Sequence, residues 1–401
     1  MITINTAESA LKNIYLETVV NDINTKTNPF LTMIQKNTKT IAGKDAKASV
    51  RFGNEGAVGA GTEDGELPRA TDSGLAEIVT PLKNLYGTFQ ITDKALKAAA
   101  NNPGAFTSLL GGEMQNLVAT AQNNLNRMIY GNGRKFLAHT NQLTFNVRIA
   151  QIPLRFQRNL RVGTGVVITN ASNQPIHTGP ITIQSITPGP GHLVVVFTGN
   201  LDIASNQDRF YIYEAGIEDL EMNGIDSIFL PDTMYNLAKA DYREIQPFTS
   251  VDANTTLRVI SEDILLEFFD ALEEHAGGQA TDIILTHPRV RKALFDDLKD
   301  NRSNIDVTEF EGGFKGFSFN GIPMYSDINC KGGTLYAVNS AGYKTQQLCD
   351  WTWIESEDGS ILKPISGKPI YSATLVKYAD LVCEKPFVQG KLTGFSARQW
   401  K

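Results

Sequence analysis

Two strand-forming runs enclose a segment that cannot fold on its own resources, and this constrains the chain more than any other feature. Ala48-Ser-Val-Arg-Phe52 reads as one strand. Glu77-Ile-Val-Thr-Pro-Leu-Lys-Asn-Leu-Tyr86 reads as a second, with Tyr86 to Ile91 as a candidate extension. Pro81 marks that strand as an edge or a bulged one, because proline cannot donate to a ladder. Between the runs, five glycines fall from residue 53 to residue 65, mixed with Glu55, Glu63, Asp64 and Glu66. Such a tip has almost no apolar side chain to bury, and ordering it costs about 1–2 kcal/mol per residue in backbone entropy. An isolated two-stranded hairpin is marginal at best. The segment is therefore either a loose surface loop or a hairpin held by another molecule.

What flanks it favours the second alternative. Leu11, Ile14, Tyr15, Leu16, Val19 and Ile23 recur at helical spacing and predict a short amphipathic helix, broken at Asn28-Pro29. With the polar stretch through Lys47 this makes an arm too poor in apolar surface to fold alone. Beyond the hairpin, Thr92-Asp93 predicts the cap of a short helix to Ala100, and Asn102-Pro103-Gly104 separates it from a long one. Phe106, Leu110, Met114, Leu117, Ala121, Leu125 and Met128 form one continuous stripe that ends at Gly131-Asn-Gly133. The other face carries Gln115, Gln122, Asn123, Asn126 and Arg127. A face rich in amides suits contact between subunits; a solvated face is the plainer alternative.

From about Arg134 to Glu214 the pattern changes to short β-rich runs: Leu143–Val147, Gly165–Ile168, Ile181–Ile186, Leu193–Phe197 and Phe210–Tyr213, separated by turn signals such as Pro188-Gly-Pro-Gly191. Regular short strands with Gly/Pro turns predict a small sandwich or barrel inserted into a host domain. The remainder mixes both types. Ser261 caps a helix through Gly277-Gly278, Thr281–Thr286 is a buried strand, and Pro288 opens another helix. Strands follow at Phe317–Phe319 and Ile322–Tyr325 around Asn320-Gly321, at Thr334–Val338 and at Tyr371–Cys383, with Phe387-Val-Gln-Gly-Lys-Leu as the last one's continuation.

Nothing in this pattern supplies chemistry. There is no phosphate loop, no nucleophile elbow and no His-Glu-x-x-His. The near miss at Gly56, Gly59 and Gly61 lies in an acidic hairpin that would repel phosphate. The five histidines are scattered, with His275 and His287 placed as helix-end and turn residues. Three distant cysteines, Cys330, Cys349 and Cys383, read as reduced thiols of a cytosolic setting. A net charge of -6 without charge runs argues against a dedicated nucleic-acid binder. No stretch approaches the ~20 apolar residues of a membrane span. The expectation is no enzyme, no cofactor, no metal and no membrane partner.

The joint order of these segments resembles the HK97-like major capsid family of tailed bacteriophages, which encapsulin compartments share. The arm (1–47) resembles its N-arm, and the hairpin (48–91), with its Glu66-Leu-Pro68 shoulder, its extended E-loop. The segment 92–133 is similar to the P domain with its spine helix. Glu221-Met-Asn-Gly224 resembles the re-entry into the A domain (215–344), with Gly316-Phe-Ser-Phe-Asn-Gly-Ile-Pro323 and Gly333-Thr-Leu-Tyr336 as its strand pair, and 345–401 the return to the P domain. The β module (134–214) departs from the minimal pattern. The resemblance implies an α+β HK97-like fold and a virion shell of hexamers and pentamers, assembled in the host cytoplasm around double-stranded DNA that it touches non-specifically. A separate scaffolding protein is expected, since only about 45 residues precede the hairpin. A portal and a decoration protein are the further partners.

Each E-loop would lie on an adjacent subunit through Arg51, Glu55, Glu63, Asp64, Glu66 and Arg69, and the spine helix would offer Gln115, Gln122, Asn126 and Arg127. The acids would meet basic groups such as Arg127, Arg134 or Lys135 next door. No lysine lies between Lys47 and Lys83, and no asparagine follows Asn339, so the lysine–asparagine crosslinks of some relatives are not expected. An encapsulin shell and a tail or baseplate protein are the alternative readings.

Overall fold

The longest strand, Ile370–Cys383, organises the body of the molecule. Its first ten residues pair antiparallel with Lys83–Thr92, from Ile370 opposite Thr92 to Ala379 opposite Lys83. The other edge carries Lys363–Pro364 and then Tyr343–Trp353, and Gln35–Asn37 adds a parallel strand beyond. Side chains alternate across a strand. Leu85, Phe89, Ile91, Ala373 and Leu375 are therefore buried on one face, while Asn84, Tyr86, Thr88 and Gln90 stand exposed on the other. The structure is a computed structural model. It describes residue 12 and residues 16–52, 60, 62–63, 74–100, 103–140, 148–170, 174–177, 179–199, 201, 210–251, 260–301, 307–310 and 314–394.

The long helix Pro103–Ile129 packs on the buried face of this sheet. At 27 residues it is about 40 Å long. Met114, Leu117 and Leu125 are buried as the sequence predicts, but the stripe ends on Ile129, with the expected Met128 only half-buried. Gly87 permits the close approach, since a Cβ there would lie 3.0 Å from Leu117 Cδ1. The short helix Asp93–Ala100 precedes it, with Ala95 N–H donating to Thr92 Oγ1 at 3.3 Å. Leu16–Lys26 lies against the long helix and buries Val19 and Ile23. Asn28-Pro29 ends that helix but also starts another, Pro29–Met33, where Asn28 Oδ1 caps Phe30 N–H at 2.9 Å.

Seven strands form a second sheet, in the order Phe248–Val251, Gly390–Thr393, Thr334–Val338, Ile283–Thr286, Ile322–Ser326, Phe314–Phe319 and Val307–Phe310. The helices Glu262–His275 and Pro288–Asn301 bring Leu265, Phe268, Leu272, Val290 and Leu294 into one core with Ile284, Met324, Leu335 and Leu392 of the sheet. Ser261 caps the first of them through Ile264 N–H. His287 Nδ1 accepts from Arg289 N–H at 3.2 Å, the cap role expected of it. Gly390 is a glycine because a Cβ there would meet Leu272 Cδ2 at 2.7 Å. The Asn320-Gly321 turn has φ of 49° and 79°, as a two-residue hairpin requires.

Residues Gly131–Gly224 form a separate compact unit. Six strands run in the order Phe136–Thr140, Phe210–Glu214, Gly165–Thr169, Ile181–Gly189, His192–Phe197 and Ile149–Pro153. The two end strands meet, with Thr140 Oγ1 donating to Gln151 O at 2.5 Å. Their inward residues, among them Ile152, Ile168, Ile183, Val195, Phe197 and Ile212, make a core of their own. The expected run at Leu143–Val147 lies outside the described residues, while Phe136–Thr140 and Ile149–Pro153 are strands that the sequence did not announce.

Two further expectations are corrected. The run from Glu77 to Ile91 is not one strand: Gly74–Pro81 pairs with Asp45–Phe52, and Lys83–Thr92 turns away into the body sheet. Pro81, which has no N–H for the ladder, sits at the break. The segment after Cys383 does not continue its strand either. Pro386–Val388 makes a short 3₁₀ turn, and Gly390–Thr393 joins the seven-stranded sheet.

Candidate assembly surface

The hairpin pairs Asp45 with Pro81 and Phe52 with Gly74 through an unbroken antiparallel register. One face, comprising Ala46, Ala48, Val50, Ala76, Ile78 and Thr80, is buried; Lys47, Ser49, Leu75 and Glu77 are exposed on the other. Its base is fixed by side chains. Thr80 Oγ1 donates to Asp380 Oδ2 at 2.6 Å, and Asn236 bonds the backbone of Val79 and Glu77. Arg51 lies on the first strand, and Glu63 is exposed near the tip. Glu55, Asp64, Glu66 and Arg69 lie outside the described residues.

The amide face of the long helix is only partly open. Gln115 is exposed and Arg127 half-buried. Gln122 Nε2, however, donates to Asp22 O at 2.8 Å and so holds the Leu16–Lys26 helix. Asn126 accepts from Asn28 Nδ2 at 2.8 Å and donates to Asp327 Oδ2 at 2.6 Å. Asn28 Nδ2 also reaches Tyr130 Oη at 3.0 Å. These two amides, expected to face a neighbouring subunit, therefore serve the chain's own arm. The reason is geometric: the segment before the hairpin folds back along the helix and needs partners for its backbone. Lys135 is likewise taken, pairing with Glu214 at 2.6 Å.

Three polar clusters, two of them buried, lie in the body. Asp327 is held by Asn126 and by the N–H of Asn329 at 2.8 Å; burial nonetheless pushes its carboxyl up from the ordinary value. Asp350 joins the arm to the body sheet, accepting from Lys377 at 2.9 Å, Lys36 at 2.8 Å and Asn24 at 3.1 Å. Burial would raise the Asp350 carboxyl, but Lys377 and Lys36 hold it well below the carboxylate range. Asp226 lies beneath the seven-stranded sheet on the face away from the helices. It accepts from Tyr336 at 2.9 Å, from Lys391 at 2.5 Å and from Lys331. Burial opposes its charge, and the two ammonium groups more than offset that, leaving the carboxyl far below its usual value. The Lys391 ammonium sits 5.5 Å from the Phe229 ring and 5.7 Å from that of Tyr336.

The sequence did not single out Asp226, Asp350 or Lys377. Lys377 alone left a signal, as a charge inside the apolar run Leu375-Val-Lys-Tyr-Ala379. Among the described residues, no group of three or more His, Cys, Asp or Glu is placed to hold a metal ion. No helix of the described residues is long and apolar enough to cross a membrane. The clusters fix elements to one another.

No family model matches the chain, and no curated protein matches it in sequence. Solved structures do. A chain of the cyanophage A-1(L) capsid asymmetric unit superposes with a TM-score of 0.54, over 92% of this chain and 93% of that one, at 12% identity. The chain has a phage-capsid fold. The mixed α+β capsid fold expected from the segment order is thereby met. The holo-SrpI encapsulin of Synechococcus elongatus PCC 7942 matches at 10% identity and a TM-score of 0.46, covering 94% of this chain and 90% of that one. The capsid of a native GTA particle matches at 10% identity and 0.46, over 92% and 90%.

Proposed function

We propose that this chain is the major capsid protein of a tailed bacteriophage, assembling as hexamers and pentamers into an icosahedral shell around double-stranded DNA. The observation that carries the reading is the likeness to the cyanophage A-1(L) capsid chain, at a TM-score of 0.54 across 92% of the sequence. In this reading the hairpin is the E-loop, and Arg51, Glu55, Glu63, Asp64, Glu66 and Arg69 lie against an adjacent subunit. Gln115 and Arg127 are the helix positions assigned to neighbours; Gln122 and Asn126 hold the arm instead. The module 134–214 is an insertion, the body is divided into P and A domains, and no reaction is catalysed.

A separate scaffolding protein, a portal and a decoration protein are the proposed partners, with loose contact to packaged DNA. Contact through the hairpin is non-covalent, because no lysine lies between Lys47 and Lys83 to crosslink. Negative-stain electron microscopy of the purified protein tests the reading. Closed shells large enough for a genome support it. Small cargo-filled shells would favour the encapsulin alternative, and tail-like assemblies or none would overturn it.

A further inference from the structure

The hairpin is joined to the body at its base, where Thr80 bonds Asp380, and its outer edge is tied there by one turn. Gly43, at φ 69°, lies in the turn between Ile41–Ala42 and the first hairpin strand; after the second strand the chain passes Pro81 and Leu82, where Leu82 N–H donates to Lys44 O at 3.0 Å. The hairpin and Ile41–Ala42 form a three-stranded sheet of their own. The tie comes from far along the chain. Thr233–Met234 and Leu237–Ala238 pair antiparallel, so Tyr235 and Asn236 are their two-residue turn.

The two turn residues point to different partners. Asn236 Oδ1 accepts from Val79 N–H at 2.9 Å, and its Nδ2 donates to Glu77 O at 3.2 Å. One side chain thus offers the open edge of the hairpin the donor and acceptor that a neighbouring strand would offer. Tyr235 engages the body: its hydroxyl accepts from Cys383 N–H at 2.9 Å and donates to Leu381 O at 3.4 Å. Tyr235 has φ 53°, a left-handed conformation costly for a residue with a Cβ. Strain of this kind persists only where surrounding bonds over-determine it. Here the buried hydroxyl on one side and the Asn236 amide on the other do so.

We infer that the Tyr235–Asn236 turn is a latch that sets the angle at which the hairpin leaves the body, with the Pro81–Leu82 break as the pivot. Opening the latch loosens the outer edge of the hairpin and leaves the body sheet paired. The latch stands on geometry within one chain. Its consequence for assembly rests on the shell reading: the angle decides where the tip meets a second copy.

Hydrogen exchange on the full, unassembled chain tests this without requiring shells to form. Asn236→Ala removes both bonds to the hairpin edge, so residues 74–81 exchange about tenfold faster, the scale of one to two net hydrogen bonds. Residues 83–92 keep their protection. Tyr235→Phe speeds exchange at both 74–81 and 381–383. Asn236→Asp keeps the acceptor for Val79 and loses only the donor to Glu77, so it falls between, and it carries the test if Asn236→Ala does not fold. Unchanged protection at 74–81, or equal loss throughout the body, overturns the inference.

Discussion

Removing the Asp226 carboxylate should unfold the body at markedly lower denaturant. Asp226 is 4% exposed and is the shared acceptor for Lys331, Lys391 and the Tyr336 hydroxyl. Asp226→Ala leaves two ammonium groups without that partner; their side chains are 19% and 14% exposed. Breaking a buried pair from one side costs about 3–5 kcal/mol. Loss of the Tyr336 hydrogen bond adds about 1 kcal/mol. Lys391 offsets part of this by shedding its proton, since burial already lowers its pKa. The net expectation is a loss of about 3–5 kcal/mol. Urea unfolding of the free subunit, followed by tryptophan fluorescence, measures it. No tryptophan lies between residues 131 and 224, so the signal excludes the Gly131–Gly224 module. Replacing the whole cluster (Asp226→Leu with Lys331→Met and Lys391→Met) should recover most of the loss, because no charge is then buried. A cost for Asp226→Ala below about 1 kcal/mol, the size of a surface pair, would refute the reasoning.

Acid should destabilise the same unit. The carboxyls of Asp226 and Asp350 are both held below their ordinary value, so the stability they supply is present above about pH 4 and lost as pH falls through the folded-state pKa values. Asp226→Asn should flatten that limb of a stability–pH curve. At alkaline pH Lys239 gives a slope of the same sign, since burial first and then Lys391 lower it to about 8. The unfolded chain binds the extra proton between about 8 and the ordinary lysine value, so stability rises across that window, and Lys239→Met should abolish the rise. Asn126→Ala should cost about 1–3 kcal/mol by leaving Asp327 short of a donor, and should expose the Leu16–Lys26 segment to limited proteolysis. Joining 131 to 224 by a short Gly-Ser link should leave tryptophan-detected unfolding intact. The module's ends are adjacent, with Glu214 N–H donating to Lys135 O at 2.9 Å.

Strong periodicity made much of the fold legible in advance. The Met114–Leu117–Leu125 stripe, the Ser261 cap, the Asn320-Gly321 turn and the alternating runs of the β module each carry their signal within a few residues. Polar strands did not. Tyr343–Trp353 contains Gln346, Gln347, Cys349 and Asp350, which hide any alternation, yet it is central to the body sheet. The break after Pro81 was visible as a proline, but where the chain went next depended on Ile370–Cys383, nearly three hundred residues away. The amides of Gln122 and Asn126 were found as a face and misassigned in role. Helical spacing says which side chains share a face and nothing about what folds back onto it. The Asp226 and Asp350 clusters were invisible for the same reason: their members lie on segments that only the tertiary fold brings together.

The central claim is that the chain builds a closed shell. Cryo-electron microscopy of particles purified with the protein tests it most directly. The account predicts an icosahedral reconstruction in which this chain forms hexamers and pentamers, each hairpin tip resting on an adjacent copy without covalent linkage. Particles in which the chain forms a tail or baseplate, or a shell whose hairpins touch only their own subunit, would contradict it.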